Sequence, residues 1–139
     1  VRLGAESPSS PFRSAWPAAV SVAEYVDILH GGFRCSNGCF VVALVYLDRA
    51  MKRNKEIAVG PLTCHRLLAA SLTLAAKFQD DSCCHTAYYA DICGVPEREL
   101  ACLERAMLRL LDYRLAVHPG EFESYRRILS SVGGGQRRS

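Results

Sequence analysis

The stretch RLLAASLTLAAKFQDD, residues 66–81, decides the fold. Leu67, Leu68, Ala69, Ala70, Leu72, Leu74, Ala75 and Ala76 are all strong helix formers, with no glycine or proline among them. Between Arg66 and Asp80 the only charged residue is Lys77, near the end of the run. A helix that is apolar on every face has to be enclosed by other elements. The stretch therefore reads as the central helix of an all-helical domain, and Lys77 as the first candidate for function.

Outward from this centre, the chain divides at clear signals. Residues 1–20 carry Pro8, Pro11, Pro17 and several serines, which predicts a flexible arm anchored by Phe12 and Trp16. Ser21 with Glu24 forms a capping box. It opens a helix through Val22, Tyr25, Val26, Ile28 and Leu29, which Gly31-Gly32 is expected to end. Ser36 or Asn37 caps the next helix, where Phe40, Leu44, Leu47 and Met51 follow as one buried stripe. That helix runs out in Arg49, Lys52, Arg53 and Lys55, placed where its dipole favours cations. Gly60-Pro61 then breaks the chain before the central helix.

Beyond the centre, Thr86 to Cys93 predicts a short helix closed by Gly94. Pro96, at a first helical position, starts a longer one with Leu100, Leu103, Met107, Leu108 and Leu111 as a broad apolar stripe. Glu104 lies within that stripe. Tyr113, Leu115 and Val117 alternate too briefly for a strand. Pro119 begins a last helix with Phe122, Tyr125, Ile128 and Leu129 on one side, and residues 133–139 read as a disordered tail. Residues 21–132 thus form the ordered domain.

A chain of 139 residues suits one domain, which at this size buries roughly 68–70% of its unfolded surface. Half the residues are hydrophobic and 22% are charged, which excludes wholesale disorder. A net charge of +3 is too small to argue by itself for nucleic acid. Apolar runs of about ten residues are too short to span a bilayer, and the serine, proline and charge near the start do not read as a signal peptide. The seven cysteines, at 35, 39, 64, 83, 84, 93 and 102, are odd in number and mostly lie in apolar patterns. They suit reduced core thiols of an intracellular protein in the cytoplasm or nucleus. Cys83, Cys84 and His85, even with Cys93, lack the paired spacing of a zinc site.

Catalytic machinery is missing from the pattern. No phosphate-binding loop occurs, and no glycine-rich turn follows a strand. His30, His65, His85 and His118 are scattered, and Asp80-Asp81 reads as a solvated helix end. The expectation is a non-catalytic protein, with no cofactor, metal or small-molecule substrate, that works by presenting a surface.

Four segments carry a resemblance to a known family: CFVVALVYLDR (39–49), HRLLAASLTLAAKFQDD (65–81), AYYADICGV (87–95) and LERAMLRLLDYRL (103–115). In this order they resemble a single cyclin box, and most closely that of the P/U-type cyclins, relatives of the fungal phosphate-regulon cyclin. The resemblance covers roughly residues 21–125. It implies an all-α, five-helix box around a central apolar third helix, here with an extra C-terminal helix. It also implies a regulatory subunit that binds a cyclin-dependent protein kinase, in cell-cycle or phosphate signalling, and presses the kinase's regulatory helix inward. That movement completes the Lys–Glu ion pair that phosphoryl transfer requires.

Residue by residue, the resemblance assigns Lys77 and Glu104 to hydrogen bonds with kinase main chain. It assigns Leu74, Phe78, Leu108, Tyr113 and Leu115 to an apolar pocket for a kinase side chain. Helical spacing places Leu74, Lys77 and Phe78 on one face, and Glu104 and Leu108 on another. On spacing alone, Lys77 and Glu104 read as a snorkelling lysine and its internal salt-bridge partner.

The chain departs from the family in places. The Met-Arg-Ala-Ile-Leu motif is absent, the matching helix reading SVAEYVDILH, so Asp48 is expected to lack its arginine partner. His85-Thr86 stands where relatives tend to have asparagines, and Asp91 where lysine is usual. The alternative function is a cyclin-fold adaptor for nucleic acid or transcription machinery, with Arg49, Lys52, Arg53, Lys55, Arg126 and Arg127 as its basic stripe. A third reading is a metal-dependent enzyme. Neither nucleic acid nor a membrane is the expected partner.

Overall fold

Every residue from Ala69 to Ala76 is buried, more than two helical turns with no face left to water. A computed structural model describes residues 12, 20–55, 60, 63–79 and 85–133, and in it this run is the middle of the third of six helices. They are α1 (Val22–Phe33), α2 (Asn37–Arg53), α3 (Cys64–Gln79), α4 (Thr86–Cys93), α5 (Glu97–Leu110) and α6 (Pro119–Gly133). Among the described residues there is no strand. The architecture is the all-α one the sequence implies. α3 packs against α1, α2 and α5, α4 bridges α1 and α5, and α6 lies on α2.

The polar residues inside α3 satisfy themselves along their own helix. The Thr73 hydroxyl donates to the Ala69 carbonyl at 2.7 Å, and that of Ser71 to Leu68 at 3.2 Å. Neither leaves a buried donor unpaired, which would cost about 1–3 kcal/mol. Leu100, Leu103, Met107 and Leu111 are all fully buried, as the stripe on α5 predicts. Each contributes about 1.5–3 kcal/mol by leaving water.

Local chemistry sets most helix ends. Ser21 and Glu24 form both bonds of the capping box, at 3.1 and 2.9 Å. α4 closes on Gly94, whose φ of 77° lies where only glycine is unstrained. Two ends differ from expectation. α1 does not stop at its glycines but runs through both to Phe33, and Arg34 caps it at φ 56°. Gly32 serves packing instead, since a Cβ there would lie 2.5 Å from Ile92 Cγ2. The bare backbone lets α1 and α4 touch, and the Tyr88 hydroxyl donates to the Gly32 carbonyl at 2.5 Å. Pro96 is the N-cap rather than the first helical residue, because its ψ of 148° is extended.

The stripe expected to be buried on α2 is the other correction. Cys39, Val42, Val45 and Tyr46 are the buried face, while Phe40, Leu44, Leu47 and Met51 are only half-buried. α2 is apolar over most of its surface, so spacing could not say which face meets α3. Phe40, Leu44 and Leu47 line a cleft of about 170 Å³ with Val26 and Leu29 of α1 and Leu68 and Leu72 of α3.

The N-terminal arm, Trp16 and the tail beyond residue 133 lie outside the described residues, apart from Val20 and Phe12. Phe12 is buried in the core. Of the described cysteines, Cys39 and Cys93 are buried, Cys35 and Cys64 are half-buried, and Cys102 stands exposed on α5, unlike the core position expected of it. Burial pushes the Cys93 thiol up to about 12. Cys83 and Cys84 lie outside the described residues.

Candidate functional site

α3 leaves the core at its last turn. Ala75 and Ala76 are fully buried, Lys77 is half-buried and Phe78 is 51% exposed. Leu74 is buried too, so of the three residues placed on this face only Lys77 and Phe78 reach the surface. The reason is α5, which lies against α3 with Leu100, Leu103 and Met107 turned inward.

Glu104 rises from the same stripe of α5 to meet the lysine. The Lys77 ammonium lies 3.1 Å from Glu104 Oε1 and 3.2 Å from Oε2, with side-chain exposures of 28% and 13%. It also donates to the Thr86 hydroxyl at the start of α4. One ammonium thus joins α3, α4 and α5. The internal salt bridge that spacing alone suggests is present. At such exposure it adds on the order of 1 kcal/mol or less to the fold.

The apolar part of the site follows from how α5 ends. The Tyr113 N–H donates to the Leu108 carbonyl at 2.9 Å and the Asp112 N–H to that of Arg109 at 3.0 Å, the two bonds of a Schellman closure. Asp112 and Tyr113 both take the left-handed conformation, with φ 55° and 60°. An aromatic residue there costs about 1–2 kcal/mol of backbone strain, yet the Tyr113 ring is 64% exposed. The turn holds a large ring in water against two physical preferences, which is where function is worth seeking. Leu108, one turn beyond Glu104, and Leu115 are half-buried.

α2 fixes the segment that follows. The Tyr46 hydroxyl donates to the Leu115 carbonyl at 2.8 Å, and burial pushes this phenol up to about 12. Arg49 donates to the carbonyls of Arg114 at 2.7 Å and Ala116 at 2.9 Å, and to Glu121 Oε1 at 2.8 Å. Asn54 donates to the carbonyls of Ala50 at 2.8 Å and Leu110 at 3.2 Å. Of the seven residues singled out from the sequence, Lys77 and Glu104 are in direct contact. Phe78 adjoins the pair on α3, Leu108 and Tyr113 are joined by a backbone bond, Leu115 is pinned from α2, and Leu74 is core. Thr86, Tyr46 and Arg49 were not identified as parts of this site. Thr86 belongs to the His85-Thr86 pair that departs from the family resemblance, and that departure is the signal that marks it.

In place of the arginine expected to be missing, Asp48 has two other partners. It accepts from the Tyr125 hydroxyl of α6 and pairs with Lys52 at 3.0 Å. The Tyr125 bond, with smaller help from Lys52, holds the Asp48 carboxyl below the usual carboxylate range. The same bond pushes the Tyr125 phenol up to about 12. Five of the six basic residues considered for nucleic acid also face carboxylates, Lys52 through Asp48. Arg49 pairs with Glu121, Arg53 with Asp112 at 3.7 Å, and Arg126 and Arg127 with Glu123 at 2.5 and 3.4 Å. Cations paired in this way give little field for a phosphate backbone. Among the described residues, no three His, Cys, Asp or Glu side chains cluster as metal ligands, and no helix is long and apolar enough to cross a membrane.

Comparison with known proteins agrees with the all-α architecture. The family model for cyclins matches residues 3–115. The chain is 37% identical over 122 residues to Cyclin-P4-1 of Oryza sativa subsp. japonica, covering 88% of this chain and 58% of that protein. It is 36% identical over 125 residues to Cyclin-U3-1 of Arabidopsis thaliana, covering 90% of this chain and 56% of the relative. Cyclin-U4-1 of Arabidopsis thaliana is 36% identical over 116 residues, covering 84% of this chain and 57% of the relative. The chain therefore spans little more than half the length of these relatives. With a cyclin match over most of its length and P- and U-type relatives on every side, this chain belongs to the cyclin family.

Proposed function

We propose that the chain is a non-catalytic regulatory subunit that binds a cyclin-dependent protein kinase and activates it by positioning its regulatory helix. The observation that carries this reading is the Lys77–Glu104 pair, with exposed Phe78 next to Lys77 on α3 and exposed Tyr113 in the turn that ends the helix of Glu104. A charged pair rimmed by apolar side chains suits the core of a protein–protein interface, where a few anchors supply most of the affinity. Lys77 offers donors and Glu104 offers acceptors, which main-chain carbonyls and N–H groups of a partner can meet in any sequence. Tyr113, Phe78 and Leu108 would receive an apolar side chain from the kinase, with Leu115 at the edge and Leu74 as the floor beneath.

The test is binding of the purified chain to a panel of recombinant rice and Arabidopsis cyclin-dependent kinases, followed by phosphoryl-transfer assays on any pair that forms. Lys77→Ala and Glu104→Ala should each weaken binding by about 1–3 kcal/mol while the fold survives. Unchanged affinity in both variants would overturn the assignment.

A further inference from the structure

An ammonium has three N–H bonds to give, and in the free protein Lys77 meets three acceptors: Glu104 Oε1, Glu104 Oε2 and Thr86 Oγ1. The residue that is to donate to a kinase carbonyl is thus already engaged. We propose that Thr86 is a latch on this lysine, and that kinase docking proceeds by displacing the Thr86 hydroxyl while the Glu104 bonds remain. The inference rests on the kinase-binding reading of Lys77. It adds a residue that tunes the affinity of that site from inside the subunit.

Three observations single out Thr86 as the bond that yields. Its hydroxyl is a neutral acceptor, so its bond carries charge on the ammonium side alone, whereas the Glu104 bonds join opposite charges as an ion pair. It sits at the first position of α4, after an N-cap residue, His85, that makes no side-chain cap bond. The latch is therefore a single side chain on a helix end, whereas Glu104 lies in the middle of α5 with Leu103 beside it fully buried. Finally, the Thr86 hydroxyl released by Lys77 is half-buried and can turn to water without rearranging the helix.

The sign of the effect separates a latch from a support. Thr86→Val keeps the shape and removes the acceptor, freeing one N–H of Lys77. It should bind the kinase about 2–10-fold more tightly, the net worth of one part-exposed hydrogen bond that water can replace. Thr86→Ser should stay with the wild type. Thr86→Asp should bind more weakly by a similar factor, because a carboxylate holds the ammonium harder and is tolerated at a helix start. The assay uses the panel kinase that binds the wild-type chain best, with melting temperatures recorded for each variant. In the kinase-free protein, nitrogen NMR of the Lys77 ammonium should show faster hydrogen exchange in Thr86→Val than in wild type. If Lys77→Ala loses binding but Thr86→Val binds equally or more weakly, the latch is wrong and the docking site stands. If Lys77→Ala changes nothing, the latch is wrong; if Glu104→Ala also changes nothing, or no panel kinase binds, both fall together.

Discussion

The Tyr125 hydroxyl donates to the Asp48 carboxylate across 77 residues of sequence, and this bond ties the last helix to the second. Lys52 on the outer side and Glu121 paired to Arg49 extend the seam in both directions. In this chain the aspartate of the second helix is answered from α6, not from α1.

Tyr125→Phe should cost about 1 kcal/mol of stability near neutral pH, the worth of a half-exposed charge-assisted bond. The pH dependence has two limbs. The Asp48 pKa is depressed below 3.8 in the fold, so its contribution is present above that value and lost as pH falls through the lower, folded one. The Tyr125 pKa is raised from 10.0 to about 12, so its contribution is complete below 10.0 and lost as pH rises to about 12. Denaturant titrations at stepped pH should show the loss between these two values in wild type and a flatter alkaline limb in Tyr125→Phe.

Arg49→Lys should loosen the segment from Arg114 to Ala116 more than its conserved charge suggests. One planar guanidinium reaches two carbonyls and Glu121, and a single ammonium cannot copy that fork. The expected cost is about 1–2 kcal/mol. Hydrogen exchange at residues 112–118 should rise while exchange within α3 stays slow. Equal protection in both proteins would show that the clamp contributes nothing.

Gly32→Ala should destabilise the chain by about 1–3 kcal/mol through overpacking, since the new methyl would meet Ile92 at 2.5 Å. Adding Ile92→Ala should recover part of that loss. The double variant would then be more stable than the sum of the two single losses, a coupling that thermal melts of all four proteins can measure.

Tyr113→Asn should raise stability and lower kinase affinity together. Asparagine tolerates the left-handed backbone found at φ 60°, so up to about 1 kcal/mol of strain is relieved. The aromatic anchor is lost at the same time. A variant that melts higher and binds as well as wild type would remove Tyr113 from the site.

What could be read in the chain alone depended on how local its cause was. The enclosure of α3 follows from its own residues, as do the Ser21–Glu24 box and the closing turn at Gly94. The Lys77–Glu104 salt bridge is legible because helical spacing leaves one lysine at the end of α3 and one carboxylate in the apolar stripe of α5. The passage of α1 through Gly31 and Gly32 was not legible, since the reason is Ile92, far along the chain. Nor was the buried face of α2, because a helix apolar over most of its circumference does not disclose which side meets its neighbour. Thr86 escaped for a further reason: a threonine beside a helix start has an ordinary local explanation, and only the fold brings Lys77 to it.

Tyr46 and Arg49 grip the segment after α5 by the carbonyl oxygens of residues 114, 115 and 116. Every amino acid supplies that oxygen, so the frame holds whichever side chains the segment carries. Under the proposed kinase-binding reading, substitutions at Leu115 and its neighbours would retune which partner is accepted without unmaking the platform. A box built this way can change clientele by drift at its rim while its interior stays as it is.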